Sequence, residues 1–430
     1  MNSTCVDTEL TPFDLARSVL ADAVETLSSE PIALTDALGR IAAESIVAEE
    51  DLVPYPRSAM DGYALRSVDT RSASPAVPVG LPLMGKVFTG EGQATLATGA
   101  VLGITTGAPV PLNADAVVPW EQVSARDGKI FVEHPVREGD CIFPPAEDVR
   151  RGETLLKRGT VIRPATMAML AFTAHSNVSV YRRPNVSLLC TGSELVDVSE
   201  TPACGQVRNS NAHVLMALLS ESGVDARYCG AVKDNSEQLR AALETARQGS
   251  DLVITTGGAS VGERDLVKVV LEDMGAEFEF RRVAIRPGKP FAFGLWRGVP
   301  VCVLPGNPSA AFVCYHEFVR PLLLRMAGRE KVELPTVSAT LAGQAKSKPG
   351  SRYFLFGSLS ITRFGFLVEP LENQCSALVR NPAMANALIV IPEGPAKYDS
   401  GDQVMVQVLN WENIGHETYS GLEMTDRNDL

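Results

Sequence analysis

Three acidic side chains in this sequence sit beside glycine turns. They are Asp61 in Ser58-Ala-Met-Asp-Gly-Tyr-Ala64, Glu194 in Thr191-Gly192-Ser193-Glu194, and Asp265 just after Gly257-Gly258-Ala-Ser260-Val-Gly262. Glycine lets the backbone approach a ligand and point N–H groups at it. Carboxylates facing a phosphate-rich ligand need a hard cation such as Mg²⁺ between them, or like charges repel. Taken one at a time, each of the three reads as a cap or turn residue. The cations are concentrated elsewhere. Arg281, Arg282, Arg286 and Lys289 crowd one short stretch of an acidic chain. Arginine offers a planar fork suited to tetrahedral oxyanions, and lysine a point charge. Val283-Ala-Ile285 and Phe291-Ala-Phe293 flank the turn, so it is expected to be anchored by buried strands; the alternative is a solvated charged turn.

Three segments read as strands that end in loops suited to an anion: Thr191-Gly192-Ser193-Glu194, Thr255-Thr-Gly-Gly-Ala-Ser-Val-Gly262 and Leu304-Pro305-Gly-Asn307-Pro308-Ser309. A helix starting near Ser309 adds the positive end of its dipole. Ordinary tight strand-to-helix turns are the alternative. No standard nucleotide fingerprint is present. Gly288-Lys289 is followed by Pro290, so there is no P-loop, and the Gly257–Gly262 run is not G-x-G-x-x-G.

The elements that must position these groups follow from composition and periodicity. The chain has 430 residues, 45% hydrophobic residues and a formal net charge of −12. That length suggests several domains, and the charge argues against a nucleic-acid partner. No apolar signal core occurs in the first thirty residues, and no run approaches the roughly 18 apolar residues of a membrane span. A cytoplasmic protein without a membrane partner is expected. The eight cysteines form no C-x-x-C pair, and they are expected to be free thiols, several of them buried.

An α/β multidomain fold is expected. Thr11-Pro12-Phe13-Asp14 reads as a capped helix start, followed by an apolar face of Leu15, Val19, Ala23 and Leu27. With a second helix from Pro164 to His175 packed on it, this makes a helical domain (1–44 and 146–183). A β-rich domain (45–145) is inserted, with strands at 86–89, 116–118 and 129–132 and a hairpin at Asp127-Gly128. Residues 184–328 alternate strand and helix, which points to a doubly wound parallel sheet. A C-terminal, barrel-like β domain spans 329–410, and 411–430 reads as a loose tail.

Together these segments resemble the molybdopterin molybdenumtransferase family, which includes the gephyrin E domain. The matching pieces occur in the family's order: Ser58–Ala64, Thr105-Thr106-Gly-Ala-Pro-Val-Pro111, Ala116-Val-Val118 with Glu121, Glu147-Asp148, Thr191–Leu195, Gly257–Asp265, Arg286–Phe293 and Leu304–Pro308. The resemblance implies that 184–328 binds molybdopterin, and that the subunit pairs as a homodimer whose clefts include the partner's second domain. It implies that molybdate is inserted into adenylated molybdopterin with Mg²⁺-dependent release of AMP. Contact with a molybdopterin adenylyltransferase and with recipient molybdoenzymes would follow. Asp61, Thr106, Asp148, Glu194 and Asp265 would be catalytic, with Asp61, Glu194 and Asp265 holding Mg²⁺. Gly192, Ser193, Gly257, Gly258, Ser260, Gly262, Arg282, Arg286, Lys289, Pro305, Asn307, Pro308, Ser309, Arg352 and Ser376 would bind substrate or molybdate. Departures from the family pattern are Arg282 and Arg286 where lysine is common, Ser193 where an acid or amide is common, and Pro119-Trp120. Two other functions compete: a non-catalytic cofactor chaperone or scaffold, and an adenylyl- or phosphoryl-transferring pterin enzyme.

Overall fold

The computed structural model describes residues 10–257 and 265–416. The first helix, α1 (Phe13–Asp22), buries Phe13, Ala16 and Leu20. That face is rotated from the expected one, and Leu15 lies open to solvent. Thr11 does not cap the helix. Its backbone instead bridges to the α/β unit: its N–H donates to Arg282 O at 3.0 Å, and its carbonyl accepts from the N–H of Ala284 at 2.9 Å. The expected packing of α1 on the 164–175 helix is likewise corrected. Phe13, Ala16 and Leu20 belong to the core of the α/β unit, whereas Leu170 belongs to a separate small cluster with Ala42, Ile162 and Val178. Phe13 is the reason, because its ring packs 5.5 Å from both Phe318 and Phe354.

The β-rich sheet contains β1 (Gly62–Leu65), β2 (Val79–Val87), β3 (Val101–Ile104), β4 (Ala116–Pro119), β5 (Val123–Arg126) and β6 (Lys129–Val132). Their order is β4-β1-β3-β2-β6-β5. The expected hairpin joins β5 and β6, with φ of 49° at Asp127 and 72° at Gly128, the left-handed pair that a two-residue hairpin turn requires. The strand expected at 86–89 runs instead over Val79–Val87, leaving Phe88 and Thr89 beyond its end. Chain on either side of this sheet rejoins where Ser29–Ala33 pairs antiparallel with Asn177–Tyr181, beside α2 (Pro164–Phe172).

The α/β unit follows the order β7 (Asn185–Thr191), α3 (Ser210–Glu221), β8 (Asp225–Val232), α4 (Ser236–Arg247), β9 (Leu252–Thr256), α5 (Leu266–Asp273), β10 (Ala276–Phe280), β11 (Ala292–Trp296), β12 (Val299–Leu304), α6 (Pro308–Cys314). A π-helical segment, Tyr315–Val319, leads into α7 (Arg320–Met326). Strand order is β8-β7-β9-β12-β11-β10; the first four are mutually parallel, β11 runs antiparallel to β12, and β10 runs antiparallel to β11. One face packs against α1, α3, α6 and α7, the other against α4 and α5. Near-continuous burial of Leu252–Thr256 is what a strand covered on both faces demands.

The C-terminal strands β13 (Thr336–Leu341), β14 (Arg352–Thr362), β15 (Gly365–Pro370), β16 (Ala387–Ile391) and β17 (Gln403–Val408) close on themselves in the ring β14-β15-β13-β17-β16-β14. The loose-tail expectation is corrected for residues 411–416. Ile414 is buried in the barrel core, Trp411 meets Phe366 edge-on, and Gly415–His416 pairs with β14. The remaining tail residues lie outside the described residues. No helix among the described residues is long and apolar enough to cross a membrane. The described cysteines are all free thiols.

Candidate functional site

The carboxyl ends of β7, β9 and β12 bring the expected loops into contact. Gly257 follows β9 with φ +96°, and a Cβ there would lie 1.9 Å from the carbonyl oxygen of Thr191. A Cβ on Gly306 would meet the Gly257 Cα at 3.3 Å. The three backbones therefore touch, and only glycine fits at Gly257. A side chain in the first turn of α3 locks this junction. Asn211 Nδ2 donates to Thr256 Oγ1 at 3.1 Å and to Gly306 O at 2.8 Å. Thr256 Oγ1 in turn donates to Pro305 O at 3.0 Å. The Oδ1 of Asn211 is buried without a protein partner. The one sequence signal was two asparagines, Asn209 and Asn211, at the head of α3; Asn209 caps the helix through Ala212 N.

The rim of this junction carries the other candidates. Ser193 and Asp234 exchange hydrogen bonds, the Ser193 N–H to Asp234 Oδ2 at 3.2 Å and the Asp234 N–H to Ser193 Oγ at 3.0 Å. Glu194 is exposed, and its carboxylate curls over Gly192. Asn307 Nδ2 donates to Ser376 Oγ at 3.2 Å, so a barrel residue does enter the site. Pro308 occupies the first turn of α6. Ser309 is fully buried and donates to Leu378 O at 2.6 Å. Its hydroxyl ties α6 to the barrel segment. Gly258, Ser260 and Gly262 lie outside the described residues.

The cationic turn is anchored as expected. Val283, Ile285, Phe291 and Phe293 are fully buried, and Ile285–Arg286 pairs in parallel with Arg352–Tyr353. The Arg286–Pro287 peptide is cis, and Arg286 is exposed with its guanidinium 5.9 Å from the Tyr353 ring. Arg282 and Lys289 are both part-exposed, and the Lys289 carbonyl receives the Val283 N–H. Buried Lys268 fastens the back of this turn. Its Nζ donates to Arg281 O at 3.0 Å and Pro290 O at 3.2 Å and pairs with Asp265 Oδ2 at 3.1 Å. Asp265 also caps α5 through Lys268 N. Burial pushes the Asp265 carboxyl up while Lys268 opposes that. Asp265 thus fills the structural cap role. Lys268, three residues on from Asp265, was missed, although that spacing places both on one helix face. Arg352 is engaged as well, by Asp14 at 2.9 Å and Glu393 at 3.0 Å, and it lies 4.3 Å from the Phe13 ring. It joins α1 to the barrel and does not stand open for an anion.

Asp61 and Thr106 meet in the β-rich sheet. Thr106 donates to Asp61 Oδ1 from its backbone at 2.8 Å and from Oγ1 at 3.2 Å. Asp148 is exposed. Among the described residues, no hydrogen bond or hydrophobic cluster joins this pair to the α/β site, and no three His, Cys, Asp or Glu side chains converge to hold a metal. Mg²⁺ accepts one or two carboxylates and completes its shell with water and substrate phosphate. The exposed carboxylates of Asp61 and Glu194 fit that mode; Asp265, paired with an ammonium, does not.

Family models match three stretches: the "MoeA N-terminal region (domain I and II)" over residues 11–174, a "Probable molybdopterin binding domain" over 187–325, and the "MoeA C-terminal region (domain IV)" over 338–409. The chain is 33% identical over 405 residues to the molybdopterin molybdenumtransferase of Bacillus subtilis, covering 93% of this chain and 94% of the relative. It is also 33% identical over 403 residues to that of Haemophilus influenzae, covering 93% and 98%. A crystal structure of a molybdopterin biosynthesis moeA protein from Pyrococcus horikoshii OT3 superposes with a TM-score of 0.81 at 29% identity, covering 93% of this chain and all of the other.

Proposed function

Because the chain belongs to the molybdopterin molybdenumtransferase family, we propose that it inserts molybdate into adenylated molybdopterin and releases AMP. The observation that carries this reading is the junction of the Thr191, Gly257 and Gly306 backbones at the head of α6, the helix whose last residue, Cys314, contacts Gly288 of the Arg286–Lys289 turn. Rigid backbone at strand ends holds the pterin phosphate, and the exposed Arg286 and part-exposed Lys289 attract molybdate. Attraction between fixed cations and an oxyanion in a cleft needs no reorganisation during reaction. The work is positioning and charge neutralisation, with no covalent nucleophile.

Asp61 and Glu194 would hold Mg²⁺, which supplies neutralising charge to the phosphoanhydride as AMP leaves. Thr106 orients Asp61. Asp61 is remote from the α/β site in sequence, and among the described residues no hydrogen bond of one chain joins the two. We therefore read the working unit as a homodimer in which each cleft borrows the partner's β-rich unit. Release of AMP from adenylated molybdopterin, measured with and without molybdate, tests the reaction. A non-catalytic cofactor carrier would bind the pterin and release no AMP.

A further inference from the structure

The Pro119-Trp120 pair departs from the family pattern and has no part in the site described so far. Trp120 follows β4 directly. Its backbone N–H donates to Asp61 O at 3.3 Å, and its indole Nε1 donates to Gly62 O at 2.9 Å. The ring is thereby fixed beside Asp61, yet it is 39% exposed. Lys86 Nζ stands 4.8 Å from the Trp120 ring and 5.0 Å from the Phe88 ring, and Phe88 is 47% exposed. The next residue, Thr89, donates from its backbone to Thr105 Oγ1 at 3.1 Å and from its hydroxyl to Thr106 O at 2.7 Å. Both aromatics are therefore tied to the loops that present and orient Asp61. Lys86 has no carboxylate within ion-pair distance among the described residues.

Two part-exposed aromatic rings that share one ammonium match a planar heteroaromatic ring that carries an anion. The ring stacks on the indole, and the ammonium leaves the π-face for a phosphate, a stronger charge-assisted partner. We propose that Trp120, Phe88 and Lys86 form the platform for the adenylate end of the substrate, with adenine on Trp120 and phosphate on Lys86. This rests on the reading of an adenylated substrate. The end is chosen by elimination. The segment matched by the molybdopterin-binding model lies at 187–325, so the β-rich unit carrying Asp61 is left to grip the other end. The consequence is that the scissile phosphoanhydride is delivered next to the open oxygen of Asp61.

The test is titration of the full-length chain with AMP, read by calorimetry and by tryptophan fluorescence. The other tryptophans are Trp296, fully buried, and Trp411 in the barrel. AMP should quench emission in the wild type, and Trp120→Phe should abolish the quench while keeping affinity within about threefold. Trp120→Ala should weaken AMP about tenfold or more, as loss of one base stack does. Lys86→Ala should weaken AMP about tenfold and leave adenosine binding unchanged. Wild-type AMP affinity in Trp120→Ala, or no AMP binding by the wild type at millimolar concentration, overturns the platform. If Trp120→Ala loses affinity for non-adenylated molybdopterin but not for AMP, the assignment to adenylate is overturned. Molybdate-dependent AMP release with unchanged KM in Trp120→Ala and Lys86→Ala would keep the reaction and sink the platform. Weakened AMP binding by these variants, in a chain whose wild type releases no AMP, would do the reverse.

Discussion

Asp61 receives two hydrogen bonds from Thr106 on the same oxygen, from the backbone N–H at 2.8 Å and from the hydroxyl at 3.2 Å. The two residues are 45 positions apart, and β1 and β3 bring them together by pairing antiparallel. One carboxylate oxygen is thus fixed, and among the described residues the other has no protein donor. On the proposed reading, that second oxygen is the one left for Mg²⁺. Asp61→Ala should therefore leave the melting temperature within about 2 °C of wild type, as exposed substitutions do. Turnover should fall by about 100-fold or more. A variant with the same melting temperature and undiminished kcat would remove Asp61 from the mechanism.

If each cleft combines one chain's α/β unit with its partner's β-rich unit, two inactive variants should rescue each other. Asp61→Ala and Arg286→Ala chains, mixed and allowed to exchange subunits, would make heterodimers with one intact cleft and one doubly defective cleft. Random pairing in a two-fold dimer predicts about a quarter of wild-type activity. Activity no higher than the two separate residual rates would place each site within a single chain.

Gly257 has no room for a methyl group. A Cβ would stand 1.9 Å from the Thr191 carbonyl at a φ of +96°. Gly257→Ala should cost several kcal/mol through overpacking and backbone strain at the junction of β7 and β9. Chemical denaturation should show a lower midpoint, and pterin affinity should fall with it. An unchanged midpoint would mean that the loops separate more easily than their packing implies.

Glu317 sits 2% exposed in the π-helical segment. Burial pushes its carboxyl up to about 7 against the pull of Arg17, Arg352 and Arg320. The unfolded chain loses this proton near pH 4.5, the ordinary value for a glutamate, while the folded chain keeps it to about 7. Unfolding therefore becomes easier as pH rises through this window, and the cost levels off above it. Its plateau is on the order of 3 kcal/mol. Adjacent His316 is pushed down to about 3 by burial, and its cost appears as pH falls below 6.5. The two slopes oppose each other, which leaves the wild type nearly flat between about 4.5 and 6.5 as far as this pair is concerned. Glu317→Gln should be more stable than wild type by an amount that grows from about pH 4.5 to 7 and then stays constant. A pH-independent difference would contradict the buried, raised carboxyl.

Much of the fold was legible because its signals are local. Leu252–Thr256 announced a strand covered on both faces, Asp127-Gly128 a hairpin, and Pro164 a helix start. What escaped was tertiary. Nothing in the periodicity of α1 shows that Phe13, rather than Leu15, faces a core built by Phe318 and Phe354. The short apolar spacing around Ile414 gave no warning that Gly415–His416 pairs with β14. At the site, glycine and proline loops were readable from their own chemistry. The residues that lock them were not. Asn211 and Lys268 act by reaching carbonyls of segments remote in sequence, and Asp265, Ser309 and Arg352 look like ligand groups until their partners are seen. A carboxylate, a hydroxyl and a guanidinium are as useful for holding two units together as for holding a substrate, so their protein partners do not by themselves decide the ligand role of these three.

The measurement that bears most directly on the central claim is AMP release by the purified full-length chain from adenylated molybdopterin, with Mg²⁺ present and molybdate either added or withheld. The account predicts release that depends on molybdate and yields a cofactor able to activate an apo-molybdoenzyme. Tight pterin binding with no molybdate-dependent AMP would contradict it and leave the chain a carrier of the pterin.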